Sequence, residues 1–211
     1  MQYVDPRDWP HYEISEFFAG LDWPFYSVTF RADATALYAR AKAGGYSFYF
    51  AACYAAAKAA GRVDAFLYKL RQDGVVKHDA LAPSFTVPAE NDLFRIVTMD
   101  VLPGETEAAF AVRARNVAAM QTTLVADMEN ERRDDLLYLS CLPWLDFTSL
   151  TNERSFDKND SIPRIAWGKL TEHDGARTMP VSIDVNHRLI DGRHIGQFSE
   201  AFQRALDGRE D

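Results

Sequence analysis

The chain has 211 residues, of which 47% are hydrophobic and 26% are charged, and this balance is that of an ordinary globular protein. Its formal charge of −8, without a lysine or arginine stripe, makes nucleic acid an unfavoured partner. The longest apolar run, residues 48–57, has about half the length needed to cross a bilayer, and the first residues do not form a signal peptide. We therefore expect a cytoplasmic protein.

No linker, internal repeat or low-complexity segment divides the chain, so residues 1–211 are predicted to form a single domain. The two cysteines, Cys53 and Cys141, are too few and too far apart for a disulfide framework or a zinc site. We expect both to be buried thiols and no metal to be bound.

In chain order, the first predicted element is an extended aromatic segment that leads into a short helix within residues 5–18. Hydrophobic periodicity and turn residues predict the elements that follow. These are a strand at 25–30, helices at 34–42 and 46–60, strands at 65–70, 75–78, 85–87 and 94–101, a helix at 105–129, strands at 136–140, 164–170 and 179–187, and a helix at 193–206.

The mixed order of helices and strands favours an α+β fold, a two-layer sandwich of a mixed β-sheet and helices, over a doubly wound sheet. The helix at 46–60 is apolar on every side as far as Lys58, which is typical of a buried helix. No glycine-rich phosphate loop follows any predicted strand.

The segment from Asn186 to Gly192 is the sharpest candidate for chemistry. His187 continues the apolar face of the strand at 179–187, so its imidazole leaves the sheet beside hydrophobic packing. Such surroundings favour a neutral histidine that can remove a proton from a hydroxyl or a thiol.

A purely structural interpretation of the same residues is also available. Asp191 can cap the terminal helix, and Gly192 can ease the turn into it. With glycine at about 7% of residues and aspartate at a similar frequency, five histidines give about a 2% chance of His-x-x-x-Asp-Gly arising by accident. The motif alone therefore does not separate function from structure.

His-x-x-x-Asp-Gly between a strand and a final helix resembles the signature of the chloramphenicol acetyltransferase family, which dihydrolipoamide acyltransferase domains share in shorter form. The segment 140–144, Ser-Cys-Leu-Pro-Trp, is similar to the family's Ser-Ala-x-Pro-Trp segment. Further similar positions occur in order along almost the whole chain: Trp9, Glu13, Phe17, Phe48, Tyr49, Phe85, Thr86, Val87, Phe94, Phe147 and Ser149.

This resemblance implies a homotrimer with active sites at the subunit interfaces, acetyl-CoA as co-substrate and a small alcohol as acceptor. His187 corresponds to the general base that takes the proton of the acceptor hydroxyl while the oxygen attacks the thioester directly. Ser140 corresponds to the serine that donates to the oxyanion, a contribution worth about 3 kcal/mol per donor. Its alternative is a strand-end serine that bonds to the local backbone.

Asp191 corresponds to a structural aspartate that pairs with an N-terminal arginine and holds the histidine loop. The arginine position falls on His11 here, so the partner of Asp191 is His11, Arg7, Arg188 or none. An unpaired, partly buried carboxylate is costly, and we therefore expect a substitute donor.

Other positions differ from the family on the acceptor side. Ala166 replaces a threonine, Phe18 replaces a pocket tyrosine, and Pro24 falls near a pocket cysteine, whereas the neighbouring aromatic is retained as Tyr26. Phe94 and these residues are the predicted walls of the acceptor pocket, although aromatic side chains at such spacing are also common in cores. Lys169 corresponds to a basic residue directed towards the CoA phosphates, and a lone surface lysine without that role also fits this position.

The sequence thus predicts an acetyl-CoA-dependent O-acetyltransferase acting on chloramphenicol or a similar alcohol, with antibiotic resistance as the implied phenotype. The alternatives are another hydroxylated acceptor or a catalytically weak small-molecule-binding homologue. A dihydrolipoamide acyltransferase is less favoured, because the chain contains no lipoyl or linker segment.

Overall fold

The computed structural model describes residues 1–209, apart from the side chain of Pro6. The helices are α1 (Tyr12–Ala19), α2 (Thr35–Gly44), α3 (Phe48–Gly61), α4 (Asp64–Leu67), α5 (Glu107–Met120) and α6 (Gly192–Asp207). The strands are β1 (Gln2–Val4), β2 (Phe25–Asp33), β3 (Tyr68–Arg71), β4 (Gly74–Lys77), β5 (Ala82–Pro88), β6 (Phe94–Thr98), β7 (Leu136–Cys141), β8 (Arg164–Trp167), β9 (Thr171–His173) and β10 (Ala176–Asn186). Short 3₁₀ helices lie at Pro6–Asp8 and Asn130–Arg132.

The large sheet has the strand order β2-β10-β8-β7-β5-β6, and β9 extends it beside β10. Because β5–β7 and β7–β8 are parallel while the other pairs are antiparallel, the sheet is mixed, as predicted. A small antiparallel sheet contains β1, β4 and β3. None of the helices described is long and apolar enough to span a membrane.

Helix α3 lies at the centre of the helical layer, against α2, α5 and α6 and against β5 and β7. Its residues from Phe50 to Ala57 are all buried, which confirms the prediction of a buried helix. Ser47 begins the helix, because its side chain accepts a hydrogen bond from the Phe50 amide.

The opposite face of the sheet is more polar and is covered by residues 142–163. Ser140, Ala166 and Ser182 lie in register across β7, β8 and β10 on this face. The Ser182 hydroxyl donates to the Leu150 oxygen at 2.7 Å, which ties the covering segment to the sheet.

A buried arginine also connects residues 142–163 to the sheet. The Arg154 side chain has no exposed surface, and its Nε donates to Asp184 Oδ1 at 2.6 Å. Its Nη1 lies 3.0 Å from Asp160 Oδ2, and its guanidinium lies over the ring of Phe25. Paired carboxylates on both sides compensate for the burial of this charge.

Two predicted elements were wrong in part. The strand predicted at 65–70 begins only at Tyr68, because Ala65, Phe66 and Leu67 form a buried helical turn instead of alternating between two faces. The helix predicted at 105–129 is capped by Thr106 and ends at Met120.

The early end of that helix has a tertiary cause. The Gln121 side-chain amide donates to the Ile96, Thr123 and Leu124 oxygens, and the Ile96 amide donates to Leu124. Residues after 120 therefore run beside β6, where these hydrogen bonds replace further helical turns.

Two predicted strands are shorter than expected at their carboxyl ends. The strand predicted at 164–170 ends at Trp167, because the Lys169 amide donates to Leu145 in the covering segment and not to a neighbouring strand. The strand predicted at 94–101 ends at Thr98, and the Asp100 oxygen beyond it accepts from Arg113 on α5.

Replacing Arg154 by Met should lower the free energy of unfolding by about 3–5 kcal/mol, since the change leaves the buried Asp184 carboxylate without its charged partner. Urea unfolding of purified protein measures this difference as a lower midpoint. Arg132→Met, at an exposed arginine, should change stability by less than about 0.5 kcal/mol. If the midpoint of Arg154→Met equals that of the wild type, the buried ion pairs of Arg154 do not stabilise the folded protein.

Candidate active site

His187 is the first residue after β10, and aromatic rings enclose it. Its amide donates to the Pro24 oxygen at 2.7 Å, which holds the residue beside the start of β2. Its ring stacks on Phe18, with centroids 3.9 Å apart and planes 13° from parallel, and lies 4.5 Å from the ring of Tyr26. Four of the predicted site residues therefore meet here. They are His187, Phe18, Tyr26 and Pro24, and Pro24 contributes through its backbone oxygen.

The two nitrogens of His187 differ in their surroundings. Nδ1 is buried and has no hydrogen-bond partner among the described residues. Proton exchange with a bound molecule is therefore expected at Nε2. A half-buried imidazole beside aromatic rings is suited to remove a proton from a hydroxyl.

Tyr26 connects this ring cluster to the turn that follows. Its hydroxyl donates to the Ile190 oxygen at 3.3 Å. Burial, with a further contribution from Asp191, raises the pKa of Tyr26 to about 12, so the hydroxyl stays protonated and acts as a donor.

Asp191 is the N-cap of α6. Its Oδ1 accepts from the Arg193 amide at 2.8 Å and from the His194 amide at 3.1 Å. In return, His194 Nδ1 accepts from the Asp191 amide at 3.1 Å, which completes a capping box. Burial acts to raise the pKa of Asp191, but the hydrogen bonds that its carboxylate accepts from the His194 and Arg193 amides outweigh burial, so the pKa lies below its ordinary value.

The arginines considered as partners of Asp191 are engaged elsewhere. Arg7 pairs with Asp5 through two hydrogen bonds, at 3.0 and 2.5 Å. Arg188 donates to the Ser15 oxygen and to Asn159 Oδ1.

His11, the third candidate, lies at the edge of the same cluster without a direct hydrogen bond to Asp191. Its ring is edge-on to that of His194, with centroids 5.5 Å apart, and its Nε2 is buried without a partner among the described residues. Burial and the neighbouring His194 lower the pKa of His11. The side chain bonded to the cap is therefore His194, which the sequence analysis did not single out. An Asp followed by a polar residue three positions later is a visible capping-box spacing, and this signal could have found it.

Ser140 and Phe94 line a second region, a cavity of about 320 Å³. Thr86, Asn152 and Ile165 are also in its wall. Ala166 is buried beside Ser140 in the sheet and is not among the wall residues.

The structure does not bring Ser140 and His187 together within one chain. Ser140 is in register with Ala166, which is in register with Ser182, five residues before His187. At about 3.3 Å per residue along a strand and about 4.8 Å between strands, the two residues are roughly 19 Å apart.

The remaining polar candidates do not form a further centre. Lys169 is exposed, and its amide donates to the Leu145 oxygen. Cys53 is buried, whereas Cys141 is only partly buried, and both are free thiols. Burial raises the pKa of Cys141 to about 12. Across residues 1–209, no three His, Cys, Asp or Glu side chains are arranged to hold a metal ion.

The chain is similar along most of its length to known proteins of one family. A family model described as chloramphenicol acetyltransferase matches residues 1–203. The chloramphenicol acetyltransferase of Bacillus pumilus is 28% identical over 189 residues, which are 83% of this chain and 80% of that protein. Chloramphenicol acetyltransferase 3 of Escherichia coli is 22% identical and covers 97% of this chain and 96% of its own length.

Solved structures confirm the predicted fold class. A chloramphenicol acetyltransferase superposes with a TM-score of 0.88 at 28% identity, over 97% of this chain and 99% of that one. A probable dihydrolipoamide acetyltransferase from Listeria monocytogenes, with a TM-score of 0.65 at 13% identity, covers 100% of this chain and 95% of its own and shares the fold.

Replacing Asp191 by Ala should lower the free energy of unfolding by about 1 kcal/mol at pH 7, because α6 loses its cap. Since the folded state holds the pKa of Asp191 below its unfolded value of about 3.9, the charge-dependent part of this stabilisation is complete above that value. It is lost as the pH falls through the folded pKa. Urea unfolding of both proteins should show the difference shrinking as the pH falls from about 5 to about 2.

Asp191→Asn is the matched control, because it keeps an oxygen acceptor and removes only the charge. It should destabilise less than Asp191→Ala at pH 7. A difference between the wild type and Asp191→Ala that grows as the pH falls would show that the carboxylate does not stabilise the helix start.

Proposed function

Because the chain belongs to the chloramphenicol acetyltransferase family, a family of acyltransferases that use acetyl-CoA as co-substrate, we propose that it acetylates a hydroxyl of chloramphenicol or of a similar small alcohol. The observation that supports this most directly is His187, held at the end of β10 with Nδ1 enclosed and its ring stacked on Phe18. The proposed location is the cytoplasm.

In the proposed mechanism, His187 Nε2 takes the proton of the acceptor hydroxyl while the oxygen attacks the thioester carbonyl of acetyl-CoA. The carbon–oxygen bond forms, and the carbonyl electron pair moves to the oxygen of a tetrahedral intermediate. Ser140 donates a hydrogen bond to that oxyanion. Collapse of the intermediate breaks the carbon–sulfur bond, and the imidazolium returns its proton to the leaving thiolate, so no acyl-enzyme forms.

Ser140 and His187 can act on one substrate only if they come from different copies of the chain, since roughly 19 Å separate them within one copy. We therefore propose a homotrimer in which each site takes His187 from one subunit and Ser140 from its neighbour. Large exposed aromatic side chains support such a contact: Phe17 is 74% exposed, Trp144 79% and Phe156 89%. Asp191 acts in this site as a structural residue, through the cap of α6.

The acceptor is proposed to lie between Phe18, Pro24 and Tyr26 of one subunit and the Ser140 cavity of the next, which contains Phe94. Ala166, beside Ser140 in the sheet, has no hydroxyl with which to hold a water near the intermediate. Lys169 is exposed and is proposed to face the CoA phosphates. Another hydroxylated acceptor is the alternative to chloramphenicol, and drug resistance depends on which of the two is used.

Release of free CoA thiol from acetyl-CoA, with and without chloramphenicol, tests the proposed activity. Acceptor-dependent release is expected from the wild type, and His187→Ala should lower it at least about 100-fold, since the general base is removed. His173→Ala is the control, because His173 is a 90% exposed histidine paired with Asp174 outside the cluster. No acceptor-dependent release from folded protein that binds acetyl-CoA would exclude chloramphenicol as acceptor and favour a different alcohol or a non-catalytic binding protein.

Mixed trimers test the proposed two-chain site. His187→Ala and Ser140→Ala chains should each be strongly impaired alone, whereas co-expression should restore activity. In a random mixture about one site in four combines an intact His187 with an intact Ser140 from the neighbouring chain. Activity that stays at the level of the single variants, in trimers shown by mass to contain both chains, would contradict a shared site.

A further inference from the structure

One peptide group beside His187 is held from both sides. The peptide between Ile190 and Asp191 accepts a hydrogen bond from the Tyr26 hydroxyl at its oxygen, at 3.3 Å. Its N–H, on Asp191, donates to His194 Nδ1 at 3.1 Å. A side chain of β2 and a side chain of α6 therefore fix the orientation of the same peptide plane.

This peptide is connected to His187 through short contacts. The Tyr26 ring lies 4.5 Å from the His187 ring. The turn is also anchored at its start, where the His187 amide donates to Pro24 and the Ile190 amide donates to the Asn186 oxygen. A rotation of the Ile190–Asp191 peptide thus changes the hydrogen bond that orients Tyr26. The Tyr26 ring, which lies beside the His187 imidazole, then changes its position as well.

The hydrogen bond from the Asp191 amide requires a neutral His194, because only an unprotonated Nδ1 accepts. On protonation, Nδ1 becomes a donor and faces Asp191 Oδ1, which lies 3.2 Å away. The peptide N–H then loses its acceptor. Neutral and protonated His194 therefore support two different arrangements of the helix start.

We propose that neutral His194 is a positioning residue for His187, acting through the Ile190–Asp191 peptide and Tyr26. The proposal rests on the proposed function only in taking His187 as the base. His194 does not contact the reacting atoms. Its role is to keep the Tyr26 ring beside His187 in one orientation, and this role requires an Nδ1 that can accept a hydrogen bond.

Titratable and charged groups surround His194 on every packed side. Asp191 and Arg193 belong to its own helix start, and His11 approaches from the segment before α1. Asp64 of α4 and Tyr68 of β3 face it across a cavity of about 310 Å³. His11 is a second histidine whose ring contacts that of His194, so its substitution belongs in the test.

Histidine-selective NMR tests the positioning role without any acceptor. With ¹³C-labelled histidine, the Cε1–Hε1 signal of His187 is identified by its loss in His187→Ala. Stacking on Phe18 shifts this proton upfield. The signal should move by at least about 0.2 ppm in His194→Ala and keep the wild-type position in His194→Asn, because Asn Oδ1 is an acceptor at the place of His Nδ1.

Kinetics supply the second readout. With chloramphenicol as acceptor, His194→Ala should lower kcat about 10-fold with little change in the KM for acetyl-CoA, since misplacement affects the chemical step. His194→Asn should keep at least a third of wild-type kcat and should lose one ionisation from the acid limb of the pH profile, because Asn does not titrate. His11→Asn should leave that ionisation in place.

The outcomes separate the two proposals. Absence of turnover in the wild type overturns the proposed acceptor, and the NMR comparison still decides the role of His194. A His187 signal at its wild-type position in His194→Ala overturns the positioning role, as does failure of the folded His194→Asn variant to restore the signal. If the acid limb of His194→Asn equals that of the wild type, the requirement for neutral His194 is overturned.

Discussion

The antiparallel pairing of β10 with β2 determines where the chemistry lies. The two strands pair over nine positions, from Thr178 opposite Asp33 to Asn186 opposite Phe25. That register ends β10 beside Pro24, so His187 bonds to its oxygen and Tyr26 lies beside the imidazole. The same strand pairs with β8 on its other side, which sets the distance between His187 and Ser140. A slip of one residue would turn His187 to the other face of the sheet.

The two faces of this sheet are stabilised in different ways. The helical face buries apolar side chains around α3, so its free energy comes from hydrophobic burial and close packing. The other face is held to residues 142–163 by directed contacts, chiefly Arg154 with Asp184 and Asp160. Such contacts define one arrangement of the covering segment, at the cost of removing charges from water. The Ser140 cavity lies under this segment, with Asn152 in its wall.

Each element was predictable from the sequence when the interactions that define it are local, and less so when they join residues far apart in the chain. Helices α3 and α6 and strand β10 were predictable because their apolar patterns reflect one buried face or complete burial. Periodicity extended the helix at 105–129 too far, because the Gln121 side chain bonds to β6, a partner remote in sequence. At the site, His187 and Asp191 were found from a local motif. The distance from His187 to Ser140 depends on the order of the strands in the sheet, which hydrophobic periodicity does not predict. His194 was missed because a ring nitrogen can accept where Glu is the usual capping partner.

The position of β10 in the large sheet also bears on how the protein folds. This strand lies between β2 and β8, although β2 precedes it by about 150 residues. Neither neighbour can complete its hydrogen bonds until β10 inserts, so the contacts that close the sheet have high sequence separation and favour slow folding. During synthesis, β2 and β8 therefore have unpaired edges until β10 has been made, and unpaired edges are templates for wrong strand pairing. The strand that leads into the proposed base is thus also the strand whose insertion removes these unpaired edges.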